Sequence, residues 1–157
     1  MFHWSRQRRR ATLSHMPDPL QDRNDIIDLA IRYTWALDTK NVDDLRNVFA
    51  ADATAVLRGV ECRGVDEIIA RIGGAVVRLD RTQHLVGNHQ VTIDGDTGTH
   101  RCHLQSQHVR AGCEGGETFI VGGFYEDRVA RTPDGWRIVH RLMEQTWTSG
   151  NPEVTKR

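Results

Sequence analysis

Between Asp22 and Ala50 the hydrophobic pattern predicts a long amphipathic helix, a tight turn and a shorter helix. Apolar positions recur at Ile26, Ile27, Ala30, Ile31, Thr34 and Leu37, the spacing of a helix that buries one face. One turn further along that face stands Asp38. At about 100° per residue it lies nearly in line with Ile27, Ile31 and Thr34. A carboxylate at the end of an apolar stripe is costly to bury unless it is paired or hydrogen-bonded. Two readings follow: Asp38 begins the turn, where Asp is common, or it points into a pocket and orients a second group.

The remaining pattern places the other elements. Pro17 and Pro19 precede the first helix, and Asp18 or Asp22 can cap it. Asn41 can cap the second, whose buried side is Leu45, Val48 and Phe49. A short strand ATAVLRG, a turn around Gly59 and a third helix over Asp66–Leu79 come next, the helix weakened by Gly73 and Gly74. From Thr82 the period changes from helical to two. HLVGNHQVTID ends in the hairpin signal Asp94-Gly95-Asp96. In THRCHLQSQHV, His100, Cys102, Leu104, Ser106 and His108 share one face, and Arg101, His103, Gln105 and Gln107 the other. TFIVGGFYEDRVART bends at Gly122-Gly123, Pro133-Asp134-Gly135 turns, and WRIVHRLMEQTWTSG is the last strand. The expected fold is α+β: a curved antiparallel sheet with three helices against its concave side, a cone-shaped open barrel enclosing a cavity. Residues 1–20 read as a disordered basic arm, 21–150 as the domain and 151–157 as a polar tail.

Composition narrows the function classes. With 21 basic and 21 acidic residues the net charge is zero, which argues against a nucleic-acid or membrane-surface protein. The exception is the arm, where Arg6, Arg8, Arg9 and Arg10 cluster without the apolar run of a secretory signal. No stretch is long and apolar enough to cross a bilayer. Cys62, Cys102 and Cys113 are odd in number and lack CxxC spacing, so free thiols in a reducing cytoplasm are expected.

Histidine is the side chain best suited to proton transfer near neutral pH. His84 opens the first long strand, and strict alternation puts His89 on the opposite face. His100 and His108 share a face but stand eight residues apart, roughly 27 Å in a regular strand, too far to share an ion. His100, His103, His89 and His140 therefore read as surface or satisfied core residues, and no metal or cofactor is expected. The chain carries no nucleophile elbow, phosphate loop or dinucleotide fingerprint.

The helix segment YTWALDTKN, the strand opening TQHLVGNH, the segment VGGFYEDR and the final WRIVHRL occur in this order. With them the chain resembles the SnoaL-like branch of the nuclear transport factor 2-like superfamily, over about Asp22 to Gly150. That branch includes polyketide cyclases, scytalone dehydratase, bile-acid dehydratase and hexachlorocyclohexane dehydrochlorinase. The resemblance implies that Asp38 holds His84, the general base. It implies a tyrosine at Tyr33, as in the bile-acid dehydratase, where the dehydrochlorinase has lysine. Arg141 takes the position of an arginine that completes the site, and His108 is the nearest counterpart of a second histidine in scytalone dehydratase. That enzyme has a tyrosine directly before its Asp, where this chain has Leu37.

The function this implies is a cofactor-free lyase, a dehydratase acting on a hydrophobic cyclic, polyketide- or steroid-like substrate. An isomerase would use the same groups. A non-catalytic alternative is a ligand-binding module or the small structural subunit of a ring-hydroxylating dioxygenase. Epoxide hydrolysis on this fold needs two aspartates around a water, and a convincing second Asp is missing. Val121, Phe124, Trp136, Leu142 and Trp147 are too many apolar groups for one cavity lining, so a homo-oligomer through the second sheet face, trimer or dimer, is expected.

Overall fold

The structure, a computed structural model, describes residues 18–156. The basic arm falls outside the described residues as far as position 17, and the chain is already helical from Pro19. Helix α1, Pro19–Asp38, begins where the Asp18 carboxylate accepts from the backbone amides of Leu20 and Gln21. Asp22 is buried instead of capping: it pairs with the Arg131 guanidinium at 2.7 and 2.9 Å and accepts from Trp136 Nε1 at 3.0 Å. The buried face of α1 is turned from the predicted one. Ile26, Leu29, Ala30, Tyr33 and Leu37 face the core, while Ile31 is exposed. The Tyr33 ring needs an enclosed place and finds it edge-on to Phe49 and Tyr125.

The second helix is a 3-10 turn, Val42–Asn47, and Asn41 does not cap it through its side-chain oxygen. Strands β1, Phe49–Leu57, and β2, Val60–Arg63, form a hairpin across Arg58-Gly59. Both turn residues have positive φ, 52° and 77°, so the glycine spares the turn one of two unfavourable backbone conformations. Helix α2, Val65–Val76, continues through Gly73-Gly74 but stops three residues before the predicted Leu79. The long strands are β3, Arg81–Asp94; β4, Thr97–Val109; β5, Thr118–Thr132; and β6, Gly135–Gly150.

The sheet is curved, with strand order β2-β1-β6-β5-β4-β3. It is mixed where an antiparallel sheet was expected: β1 and β6 run parallel. The last strand closes onto the first through a long crossover rather than a hairpin, and only such a connection permits parallel pairing. The core lies between the concave face and the two helices. Of the five apolar residues counted as too many for one cavity lining, Trp136 is buried in this core and Val121 in a second buried cluster, whereas Phe124 and Leu142 are half-buried and Trp147 is exposed. Residues 151–156 also depart from the polar tail expected: Pro152–Thr155 forms a 3-10 turn. Its Val154 is fully buried against Leu79, Phe119 and Val121.

Two irregularities set which side chains face inward. In β3 the register shifts between Gly87 and Gln90, around Asn88 at φ 56°. One extra residue there resets the alternation. His84 and His89 consequently share the concave face, against the prediction. In β5 and β6 the register shifts at Gly122/Gly123. A Cβ at Gly122 would overlap the Trp147 ring, and one at Gly123 would overlap the Glu144 carbonyl.

Candidate active site

Helix α1 ends at Asp38, and its carboxylate crosses to the start of β3. Oδ1 accepts from the Thr82 hydroxyl at 2.8 Å and pairs with His84 Nδ1 at 2.6 Å; Oδ2 accepts from the His84 backbone amide at 2.8 Å. The helix terminus and the orienting group are therefore one feature. Burial alone would raise the Asp38 carboxyl, but the side-chain and backbone hydrogen bonds from His84, with that of Thr82, outweigh it and hold the group below its ordinary value. The carboxylate fixes the ring so that Nδ1 carries a proton, leaving Nε2 as the nitrogen available to the cavity.

That cavity, about 130 Å³, is walled by apolar Leu37, Ile72, Val76, Leu104, Val121 and Met143, with His84, His108, Tyr33, Tyr125 and Ser106 among its polar groups. Asp38 is not among the lining residues. It stands behind His84. The His84 and His108 rings meet edge to face, centroids 6.0 Å apart. His108 Nδ1 lies 3.2 Å from the Phe119 carbonyl, to which it donates, so its Nε2 is an acceptor. Burial holds the His108 imidazole at about 4, with only partial compensation from that carbonyl, so it is neutral near pH 7. A neutral ring in this tautomer can receive a substrate hydroxyl but has no proton at Nε2 to give a leaving group.

Tyr33 and Tyr125 stand edge to face, 5.4 Å apart. Burial raises both phenols above their ordinary value, for Tyr33 against the opposing charge of Arg141, so both are protonated donors. Arg141 itself does not line the cavity. It is fully buried beneath the two rings, 4.2 Å from each centroid, and pairs with Asp127 through Nε at 2.7 Å and Nη2 at 2.8 Å. Its Nη1 has no hydrogen-bond partner among the described residues. The faces of the tyrosine rings supply the attraction instead. Arg141 thus supports the tyrosines rather than meeting a ligand directly.

Sequence reasoning passed over several wall residues. Ser106 is opposite His84 in the β3–β4 register, and the alternation of β4 already placed it with His108. Tyr125 stands inside VGGFYEDR. Arg58 and Arg71 come from the β1–β2 turn and α2, and Thr155 from the terminal turn; nothing local in the sequence announces them. Among the described residues one grouping of three possible metal ligands occurs, His89, His100 and Cys102, and none of the three lines this cavity.

Comparison with known proteins identifies the family and the fold. The SnoaL-like domain matches residues 18–142. The chain belongs to the SnoaL-like family. Protein Rv2910c of Mycobacterium tuberculosis is 33% identical over 127 residues, covering 78% of this chain and 84% of that one. The Kfla4162 protein of Kribbella flavida superposes with a TM-score of 0.81 at 27% identity, over 89% of this chain and all of the other. A protein of Novosphingobium aromaticivorans proposed to be an aromatic ring hydroxylase gives 0.77 at 29% identity, again over 89% of this chain and 100% of that one. At lower identity the fold is shared with a proposed scytalone dehydratase of that organism, at 20% and TM-score 0.75, over 84% of this chain and 89% of the other. It is shared also with a hexachlorocyclohexane dehydrochlorinase, at 15% and 0.75, over 84% of this chain and 90% of that one. A nuclear transport factor 2-like protein of Salmonella enterica has the same fold, with a TM-score of 0.75 at 18% identity, over 87% of this chain and 99% of that one. No helix among the described residues is long and apolar enough to cross a membrane.

Proposed function

We propose that this SnoaL-like protein is a cofactor-free lyase, a dehydratase that uses His84 as general base on a hydrophobic cyclic substrate of polyketide or steroid type. The carrying observation is the 2.6 Å contact between His84 Nδ1 and Asp38 at the wall of an apolar cavity. His84 Nε2 takes a proton from the carbon alpha to a carbonyl. Asp38 stabilises the imidazolium that forms. Tyr33, kept protonated and backed by Arg141, hydrogen-bonds the enolate oxygen. His108 receives the substrate hydroxyl and orients it. As the C–O bond breaks, the imidazolium returns its proton to the departing oxygen, and water leaves with the carbon–carbon double bond formed. An isomerase would return that proton to carbon instead. Arg58 and Arg71 in the cavity wall suit a substrate that also carries an anionic or ester group.

The likeness to the proposed aromatic ring hydroxylase favours a second reading, a non-catalytic subunit whose redox partner supplies the metal. One experiment separates them. Native mass spectrometry of the purified protein identifies the cavity occupant, and turnover of its hydroxylated precursor is followed with wild type and His84→Ala. Loss of dehydration in the variant supports the lyase; an occupant that neither protein converts supports the binding reading.

The free cysteines suit a reducing cytoplasm, and the outer face of the sheet, with exposed Trp147 and Leu85, suits self-association as a trimer or dimer.

A further inference from the structure

A second polar constellation lies along β4 toward the β3–β4 turn. The shift at Gly87/Gln90 brings His89 inward, beside His100 on the neighbouring strand, with Nδ1 of the first 3.0 Å from Nε2 of the second. Cys102 follows His100 on the same face, and the three potential ligand atoms lie within 4.8 Å of one another. His100 and Cys102 are buried and His89 is half-buried, so the group is reachable from one side only. The other nitrogen of His100, Nδ1, is 3.0 Å from Asp127 Oδ2, and that carboxylate is itself held by Arg141.

We infer that His89, His100 and Cys102 form a binding site for a zinc-class divalent cation, separate from the cavity. Two imidazoles and a thiolate are a zinc ligand set, and three protein ligands leave a fourth position for water on the His89 side. In a tetrahedral site with bonds of about 2.0–2.1 Å the two nitrogens stand about 3.3 Å apart, close to the 3.0 Å found. The sulfur needs an approach of about 1 Å, within reach of a side-chain adjustment. The carboxylate behind His100 is the outer partner that a metal-bound imidazole commonly has, and it fixes Nε2 as the ligating atom. On ligation the Cys102 thiol releases its proton to water. The thiolate and Asp127 then offset the cation beside Arg141. The ion would join β3 to β4 just past the register shift.

The test uses the full chain, stripped with a chelator, kept reduced and desalted. Co(II) is titrated in as the spectroscopic probe, followed by Zn(II) in competition. The expected result is one equivalent bound, with a near-ultraviolet thiolate-to-cobalt band that Zn(II) removes. Cys102→Ser should abolish the band, and the half-exposed His89→Gln should weaken binding by about tenfold or more. Cys113→Ser should leave both unchanged. Absence of the band in the unmodified protein overturns the inference, as does binding that survives both the Cys102 and His89 substitutions. His89 and His100 would then be a simple hydrogen-bonded pair.

Discussion

At Asp38 three donors converge on one carboxylate, two of them from His84. Asp38→Asn should leave the fold intact but lower kcat by about 10²-fold or more, because the amide cannot stabilise an imidazolium and invites the wrong ring tautomer. Tyr33→Phe should cost less, about the 10²-fold of a single lost oxyanion donor at most. Steady-state kinetics of both variants on the identified substrate checks the ordering. His108 carries a separate signature in stability. Its folded value is about 4 against an ordinary 6.5, so below pH 6.5 the unfolded chain gains a proton that the folded chain refuses. The unfolded state then binds more protons, and stability falls as pH drops from 6.5 to 4. Melting temperatures of wild type and His108→Gln, stepped across that window, should show a shallower fall in the variant. Equal slopes would assign the acid sensitivity elsewhere, His89 being the next group lowered by burial.

Between elements, the strongest local constraint is the close approach of β5 and β6. A methyl group at Gly123 would collide with a backbone carbonyl, which cannot turn away as a side chain can. Gly123→Ala should therefore destabilise by roughly 1–3 kcal/mol, read from denaturant midpoints. The Asp127–Arg141 pair joins the same two strands under the tyrosines, fully out of solvent. Asp127→Asn leaves a buried guanidinium without its counter-charge and should cost about 3–5 kcal/mol, more than most single substitutions. Loss of activity beyond that of a partly unfolded sample would show that Arg141 also positions Tyr33.

At the scale of the whole molecule, the concave face is covered by the helices and the outer face is not. Leu85 at 61% and Trp147 at 49% exposure stand on the outer surface near Phe124, whose ring is covered by the Arg101 guanidinium at 4.6 Å. An apolar patch of this kind on a broad sheet is what self-association buries. Multi-angle light scattering at micromolar concentration should give a trimer or dimer, and Trp147→Glu should shift it toward monomer. A monomeric wild type would remove the basis for this expectation.

Much of this was legible in the sequence. Period-two alternation in β4 sorted its residues correctly onto two faces, because a strand without bulges obeys its pleat, though only the structure shows which face is inner. The turn glycines marked the hairpins, and the four ordered motifs pointed to the family and to His84 with Asp38. Other features were decided only in three dimensions. A single extra residue near Asn88 moved His89 from one face to the other, and alternation counted along the chain cannot see a register shift. The parallel pairing of β1 with β6 depends on where a distant strand arrives. Arg141 looked like a cavity residue, yet it serves as a buried support because Asp127, from the neighbouring strand, draws its guanidinium beneath Tyr33 and Tyr125. Thr155 reaches the cavity because the terminal turn folds back over Phe119 and Val121. The sequence determined periodicity, turns and the short-range caps, which are local properties of the backbone; packing decided which charges pair and which walls meet, because those energies exist only once distant segments share a core.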